Sequence, residues 1–307
     1  MNAQRPLTAP PAGSWATCEP FEECRASLHK KAFRLTHALA EHPLFAVDAL
    51  IGVAQDAARR KQDLYLDAGA VSVSDKWGNI PVPEMPVAEV IRKIETAGAW
   101  IVMKHVETNL RYKTVLNEWA DYVRFLAGPT ASKLLRSPEM IVFITSPHRV
   151  TPFHFDHEIN FLTQLHGSKD VWVCDPLDRT VATEAEIERY YAGTITAGTY
   201  KPHAEERATK FTLSPGEAVH IPTHAAHWVK NHDNVSVSLS LSFEFPNWLH
   251  ADVYRMNYYL RRFGFSPRPL GRAILADRVK GTAGLVLRQA KRTAVTAYRS
   301  AKKLVRR

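Results

Sequence analysis

The chain has 307 residues, 45% hydrophobic and 23% charged, with a formal net charge of +9. That length suits one large domain with additions or two small domains, and no apolar run reaches the roughly 18 residues that would mark a membrane-spanning helix. Eleven Lys or Arg against one acid, Asp277, put +10 between Leu270 and Arg307, so the rest of the chain sums to −1 and the basicity belongs to a tail.

The N-terminal stretch from Met1 to Trp15 is rich in Pro and Ala and lacks the basic-then-apolar order of a secretory signal, so a cytoplasmic location is expected. Three cysteines, Cys18, Cys24 and Cys174, form no disulfide framework or zinc spacing and read as separate thiols in a reducing compartment. Helical spacing then dominates. Val47, Leu50, Ile51 and Ala54 share one face, as do Val87, Val90, Ile91 and Ile94 behind Pro86. Pro81 and Pro83 mark a loop before that helix, and Trp100–Met103 is a short strand-type run. Leu116, Trp119, Ala120 and Val123 form a third helical face, stopped by Gly128-Pro129.

Strand signals take over near Glu139. Met140–Thr145, Ile159–Leu165, Val171–Cys174, Phe211–Leu213 and Ala218–Ile221 are short apolar or β-branched runs separated by turn residues. From Val235 to Phe245 apolar residues alternate with Ser236, Ser238, Ser240, Ser242 and Glu244, the period of a strand with two unlike faces. A capping box at Thr183 and Glu186 predicts one interrupting helix, ending near Ala192. In this insertion between strands, Tyr190, Tyr191, Tyr200 and His203 read either as a substrate lid or as exposed loop residues. Short strands joined by turns predict a barrel or jelly roll.

Nine of the fourteen histidines lie between His148 and His232. In a strand, residues i and i+2 share a face, so His154 and Asp156 of Thr151-Pro-Phe-His-Phe-Asp-His can meet one ion. His227, after Ile221-Pro222, can supply a third ligand. Two imidazoles and a carboxylate on one face of an octahedron are the ligands of non-haem iron oxygenases. His157 has the wrong strand parity to join them, and His224 reads as a neighbour of the ligands.

Thr151 to Lys169 together with Gly216 to Phe243 resembles the jumonji-C and cupin-like (cupin-8 type) oxygenases. Pro215-Gly216-Glu217-Ala-Val-His-Ile-Pro222 is similar to that family's turn before the last ligand. The resemblance, spanning Glu139 to Phe245, implies a double-stranded β-helix holding Fe(II) through His154, Asp156 and His227. It implies that Thr151, Asn160 and Lys169 bind 2-oxoglutarate, with Lys169 meeting the distal carboxylate. Asparaginyl hydroxylases of this type carry a further Asn where this chain has the shorter Ser242. If Ser242 faces the lumen, the other serines do too, and the aliphatic face turns outward against the N-terminal helices.

The organisation expected is a mostly helical support over 1–130, a double-stranded β-helix catalytic core over 131–250 and a basic helical tail over 251–307. The implied reaction consumes 2-oxoglutarate and O2, releases succinate and hydroxylates a peptide side chain or small metabolite by hydrogen abstraction and hydroxyl return. The alternative is a non-catalytic cupin-like module docking through its tail. For the tail, Arg288 to Arg307, the candidate partners are RNA, an anionic membrane surface or an acidic protein, and a homodimer is a further assembly considered.

Overall fold

The structure, a computed structural model, describes residues 14–76, 84–245 and 248–304. Most of the Pro- and Ala-rich N-terminus, Pro81, Pro83, Arg306 and Arg307 lie outside the described residues. The strands are β1 (Ala16–Thr17), β2 (Phe33–His37), β3 (Leu64–Ala68), β4 (Ala99–Met103), β5 (Arg136–Thr145) and β6 (Val150–His154). They continue as β7 (Ile159–His166), β8 (Lys169–Cys174), β9 (Ala208–Leu213), β10 (Glu217–Ile221), β11 (His227–Asn231) and β12 (Ser236–Glu244). The helices are α1 (Phe21–Ser27), α2 (Val47–Arg59), α3 (Val87–Arg92), α4 (Leu110–Ala131), α5 (Glu184–Tyr191), α6 (Ala204–Arg207), α7 (Trp248–Arg262) and α8 (Ile274–Leu304).

Two antiparallel sheets form a jelly roll. One has eight strands in the order β1-β2-β10-β7-β12-β5-β4-β3, and the other has four in the order β6-β11-β8-β9. Between them lies an apolar layer in which Leu162, Val219 and Ile221 of the larger sheet meet Val171, Val173, Phe211 and Val229 of the smaller. Residues 16–103, read as mostly helical, also contribute β1 to β4 to the larger sheet. Only Trp100–Met103 carried a recognisable strand signal. Segments as short as Phe33–His37 become strands because β10 offers them unpaired backbone groups.

The alternation of β12 sorts its two faces as expected. Val237, Leu239, Leu241 and Phe243 are buried with Leu116, Trp119 and Val123 of α4 in the outer core. Trp119 sits edge-on to Phe161 of the neighbouring strand, 6.0 Å away. The serines face the other way, where Ser238 donates to Gln164 Oε1 (2.7 Å) and Ser240 to Asn160 Oδ1 (2.9 Å). Helical geometry in α4 breaks at Gly128 (φ 77°, ψ 173°), at the expected stop.

Cys18 and Cys24, expected as separate thiols, are joined in a disulfide, their Cα atoms 6.4 Å apart. The turn into α1 folds residue 24 back over residue 18, a separation that no spacing rule for zinc or disulfide frameworks anticipates. With one pair bonded, cysteine count no longer argues for a reducing compartment. Cys174 is free and buried, and burial pushes its thiol up to about 12.

The β7–β8 turn sets the position of Lys169. Gly167 adopts φ +70°, and a Cβ there would lie 2.7 Å from Asn234 Nδ2 and closer still to the Val235 carbonyl. Asn234 holds the turn by accepting from the Ser168 N–H (2.9 Å) and donating to its carbonyl (3.1 Å). Gly167→Ala is therefore expected to cost about 2–4 kcal/mol, combining left-handed strain with a backbone clash, as read by urea denaturation.

By their contacts, Met1–Ala182 with Thr199–Pro246 form one unit and Thr183–Gly198 with Asn247–Arg307 a second. In the second, α5 starts with the capping box of Thr183 and Glu186. Tyr191 stacks on Tyr254 at 5.2 Å, and Arg261 meets Glu188 at 2.6 Å. Tyr200, in the first unit, packs on Phe153 and Trp228 at 5.9 and 5.7 Å. Both tyrosines are half-buried and engaged in ring contacts rather than lying as exposed loop aromatics. Among the described residues no helix is long and apolar enough to cross a membrane.

Candidate metal centre

His154 ends β6, His227 opens β11, and the two are directly paired across the small sheet. Paired residues share a face, which brings their ring centroids to 4.0 Å. Asp156 lies just beyond β6, and its Oδ2 is 3.8 Å from His154 Nε2 and 3.7 Å from His227 Nε2. One ligand atom from each residue fits within a group whose members all lie within 4.8 Å of one another.

The other ring nitrogens orient the site. His154 Nδ1–H donates to the Pro152 carbonyl (2.8 Å) and His227 Nδ1–H to that of Ala225 (2.9 Å). Those bonds leave each Nε2 as a bare lone pair turned toward Asp156, the tautomer a metal requires. Burial pushes both imidazoles down to about 4, so they stay neutral near pH 7. Burial likewise raises Asp156, against the pull of His227. Two neutral donors and a partly buried carboxylate fit a divalent cation, whose charge would offset the cost of that partial burial.

The turn before His227 is stitched to the same segment. His224 adopts φ 63°, and its N–H donates to the Asp156 carbonyl at 2.9 Å. His224 therefore acts on Asp156 through its backbone. His157 belongs to a second group with Glu158 and Glu244. Its Nδ1 lies 3.0 Å from Glu158 and its Nε2 3.8 Å from Glu244. Burial lowers this imidazole, but the Glu158 hydrogen bond and the two carboxylates outweigh it, so its pKa is raised. That is the behaviour of an ion-pair cluster.

Lys169 begins β8 opposite Asn231, and Val173 of the same strand lies opposite His227. Four residues separate the two positions, so Lys169 shares the inward face of His227 about 13 Å along the strands. Its side chain is buried, the residue being 4% exposed. No carboxylate among the described residues forms an ion pair with it, and burial alone pulls its ammonium down to about 7. Nearby in the register, Asn231 Nδ2 donates to Thr145 Oγ1 (2.6 Å) and to the Ser146 carbonyl (2.9 Å).

Thr151 stands three residues before His154, the wrong parity for a regular strand. The register shifts between His227 and Val229, so His154 pairs with His227 while Thr151 pairs with Val229. This irregularity brings Thr151 onto the ligand face. Asn160 and Ser242 are paired with each other on the inward face of the large sheet. Ser240, which the sequence reading did not single out, is the serine that bonds Asn160. The repeating serine alternation was the available signal, but it does not say which hydroxyl reaches the amide. Asn231 was likewise passed over.

A jelly roll with converging imidazoles and a carboxylate on its inner face is a cupin-type architecture with a candidate metal centre. The chain belongs to the cupin-like domain family, whose model matches residues 83–247, more than half its length. No curated protein matches it. Among solved structures it is similar to YcfD, a ribosomal oxygenase from Escherichia coli, in complex with cobalt and 2-oxoglutarate. That likeness has 16% identity and a TM-score of 0.50 over 89% of this chain and 67% of that one. Another crystal structure of Escherichia coli ribosomal oxygenase YcfD gives 15% and 0.49, over 88% and 66% of the respective chains. At such identity the first of these likenesses speaks to the fold alone, which is a jelly roll.

Proposed function

We propose that this chain is an Fe(II)- and 2-oxoglutarate-dependent oxygenase that hydroxylates a C–H bond of a peptide side chain or small metabolite. The observation carrying this reading is Lys169. A buried ammonium without an ion-pair partner among the described residues is costly, and it faces the same lumen as the candidate metal ligands. A dicarboxylate anchored by its 2-oxo acid end at the metal and by its far carboxylate at Lys169 would answer both needs. The cobalt and 2-oxoglutarate held by the Escherichia coli ribosomal oxygenase support this choice of metal site and co-substrate.

His154, Asp156 and His227 would hold the ion. When bound, ferrous iron would supply the redox chemistry that couples dioxygen and 2-oxoglutarate to hydroxylation, yielding succinate and carbon dioxide. The residues of the chain do the positioning. The Pro152 and Ala225 carbonyls fix the two imidazoles, and Lys169 orients the co-substrate by its far end. Thr151, Asn160 and Ser242 line the inward surface between, where hydroxyl and amide groups can hydrogen-bond it. Asp156 is the most accessible of the three ligands, with a third of its side chain exposed, so substrate would approach from its side.

The test is succinate formation by purified protein given iron, ascorbate and 2-oxoglutarate without added substrate. Slow turnover that stops on chelation is expected. An iron-loaded protein that binds 2-oxoglutarate yet never forms succinate, with or without candidate substrates, would instead favour a non-catalytic module.

A further inference from the structure

The two C-terminal helices carry a surface that the oxygenase reading does not use. From Asn247 to Arg307 there are fifteen Lys or Arg and two acids, Asp252 and Asp277. Asp252 accepts from Arg255 (2.7 Å) and Arg288 (3.0 Å), and Lys280 pairs with Asp277 at 3.0 Å. Arg262, Arg268, Arg272 and Arg278 are exposed and form no ion pair among the described residues. No acid follows Asp277.

The helix α8 is turned the opposite way from an ordinary surface helix. Asp277, Gly281 and Gly284 lie on its buried side, with Arg288 half-buried one turn further. Gly284 lies so close to α7 that a Cβ would stand 2.9 Å from the Asp252 backbone oxygen. The polar and glycine face is therefore the packed one. Leu275, Val279 and Val286 follow at helical spacing on the solvent side. With Phe263 and Phe265 from the α7–α8 turn, these residues leave between 59% and 78% of their surface exposed.

We propose that the outward face of α8, with the Phe263–Phe265 turn, docks onto an anionic lipid surface. Charge complementarity selects this occupant. A second copy meeting the first through this face would set two strongly basic stretches side by side, since Asp252 and Asp277 are already paired on the buried side. Nucleic acid would satisfy the arginines but leave five large apolar side chains in water. Anionic lipid answers both, since apolar side chains enter the acyl boundary while flanking arginines reach the headgroups. Since no described helix can span a bilayer, the helix would lie in the interface.

Flotation of the full chain with phosphatidylcholine vesicles, neutral or made anionic with phosphatidylglycerol, tests this directly. The chain should partition to the anionic vesicles about tenfold or more over the neutral ones, and salt should weaken that binding. The variant Leu275→Ser/Val279→Ser/Val286→Ser should lose about tenfold or more, because its apolar transfer is removed. Arg262→Ser/Arg268→Ser/Arg272→Ser/Arg278→Ser should lose the preference for anionic lipid. The replaced side chains are exposed, so both variants should keep wild-type circular dichroism. Failure to float with anionic vesicles would overturn the proposal. So would binding unchanged in the leucine–valine variant, as would a dimer in ultracentrifugation that this variant dissociates.

Discussion

Replacing His154, Asp156 or His227 by alanine is expected to weaken iron binding by more than about a hundredfold. Loss of a mere outer hydrogen-bond partner of a metal ligand already costs about 10- to 100-fold, and here a ligand itself is removed. The structure gives each residue one ligand atom within the same 4.8 Å group. His157→Ala should retain iron, because its imidazole is engaged by Glu158 and Glu244. His224→Ala should retain it too, since its contact with Asp156 is a backbone N–H that alanine preserves. Iron content after desalting, measured on all five variants, separates the sets. Equal loss across all five would refute the assignment of ligands.

The second large effect belongs to Lys169. Lys169→Met, which keeps the bulk but not the charge, should weaken 2-oxoglutarate binding about a hundredfold while leaving iron content intact. Without co-substrate the same variant should melt at a higher temperature. The folded-state pKa is lowered from 10.5 to about 7, so burying the ammonium penalises the fold. That penalty is present in full below pH 7 and is relieved as pH rises from about 7 toward 10.5. Co-substrate binding has the opposite sense, since the distal carboxylate wants the lysine charged. Above pH 7 affinity should fall by about tenfold per pH unit, with proton uptake on binding. Calorimetry in buffers of different ionisation enthalpy reads that uptake. A pH-independent affinity would mean that another group holds the distal carboxylate.

Some of this architecture was legible because it depends on local sterics. The period of two in β12 forces its serines and its aliphatic residues onto opposite faces whatever the rest of the chain does. The capping box at Thr183 and Glu186 likewise needs only four residues. Strand spacing of His154 and Asp156, with His227 after a tight turn, marked the candidate triad, and the turn from Pro215 to Pro222 carried the family resemblance. The spacing of short strands by itself left a barrel or a jelly roll open, and the resemblance implied the double-stranded β-helix.

Tertiary pairing decided the rest. Thr151 and His154 share a face only because β11 pairs with β6 out of regular register, and a bulge depends on the partner strand. The pairings of β2 and β3 come from neighbours far along the chain, and the Cys18–Cys24 bond from the path into α1. Ser240 rather than Ser242 reaches Asn160, a choice made by side-chain geometry across two strands. For α8 the composition determined a helix with a basic excess, but not which side packs. Close approach at Gly284 and the Asp252–Arg288 pair bury the polar side against α7, and that leaves the apolar side facing water.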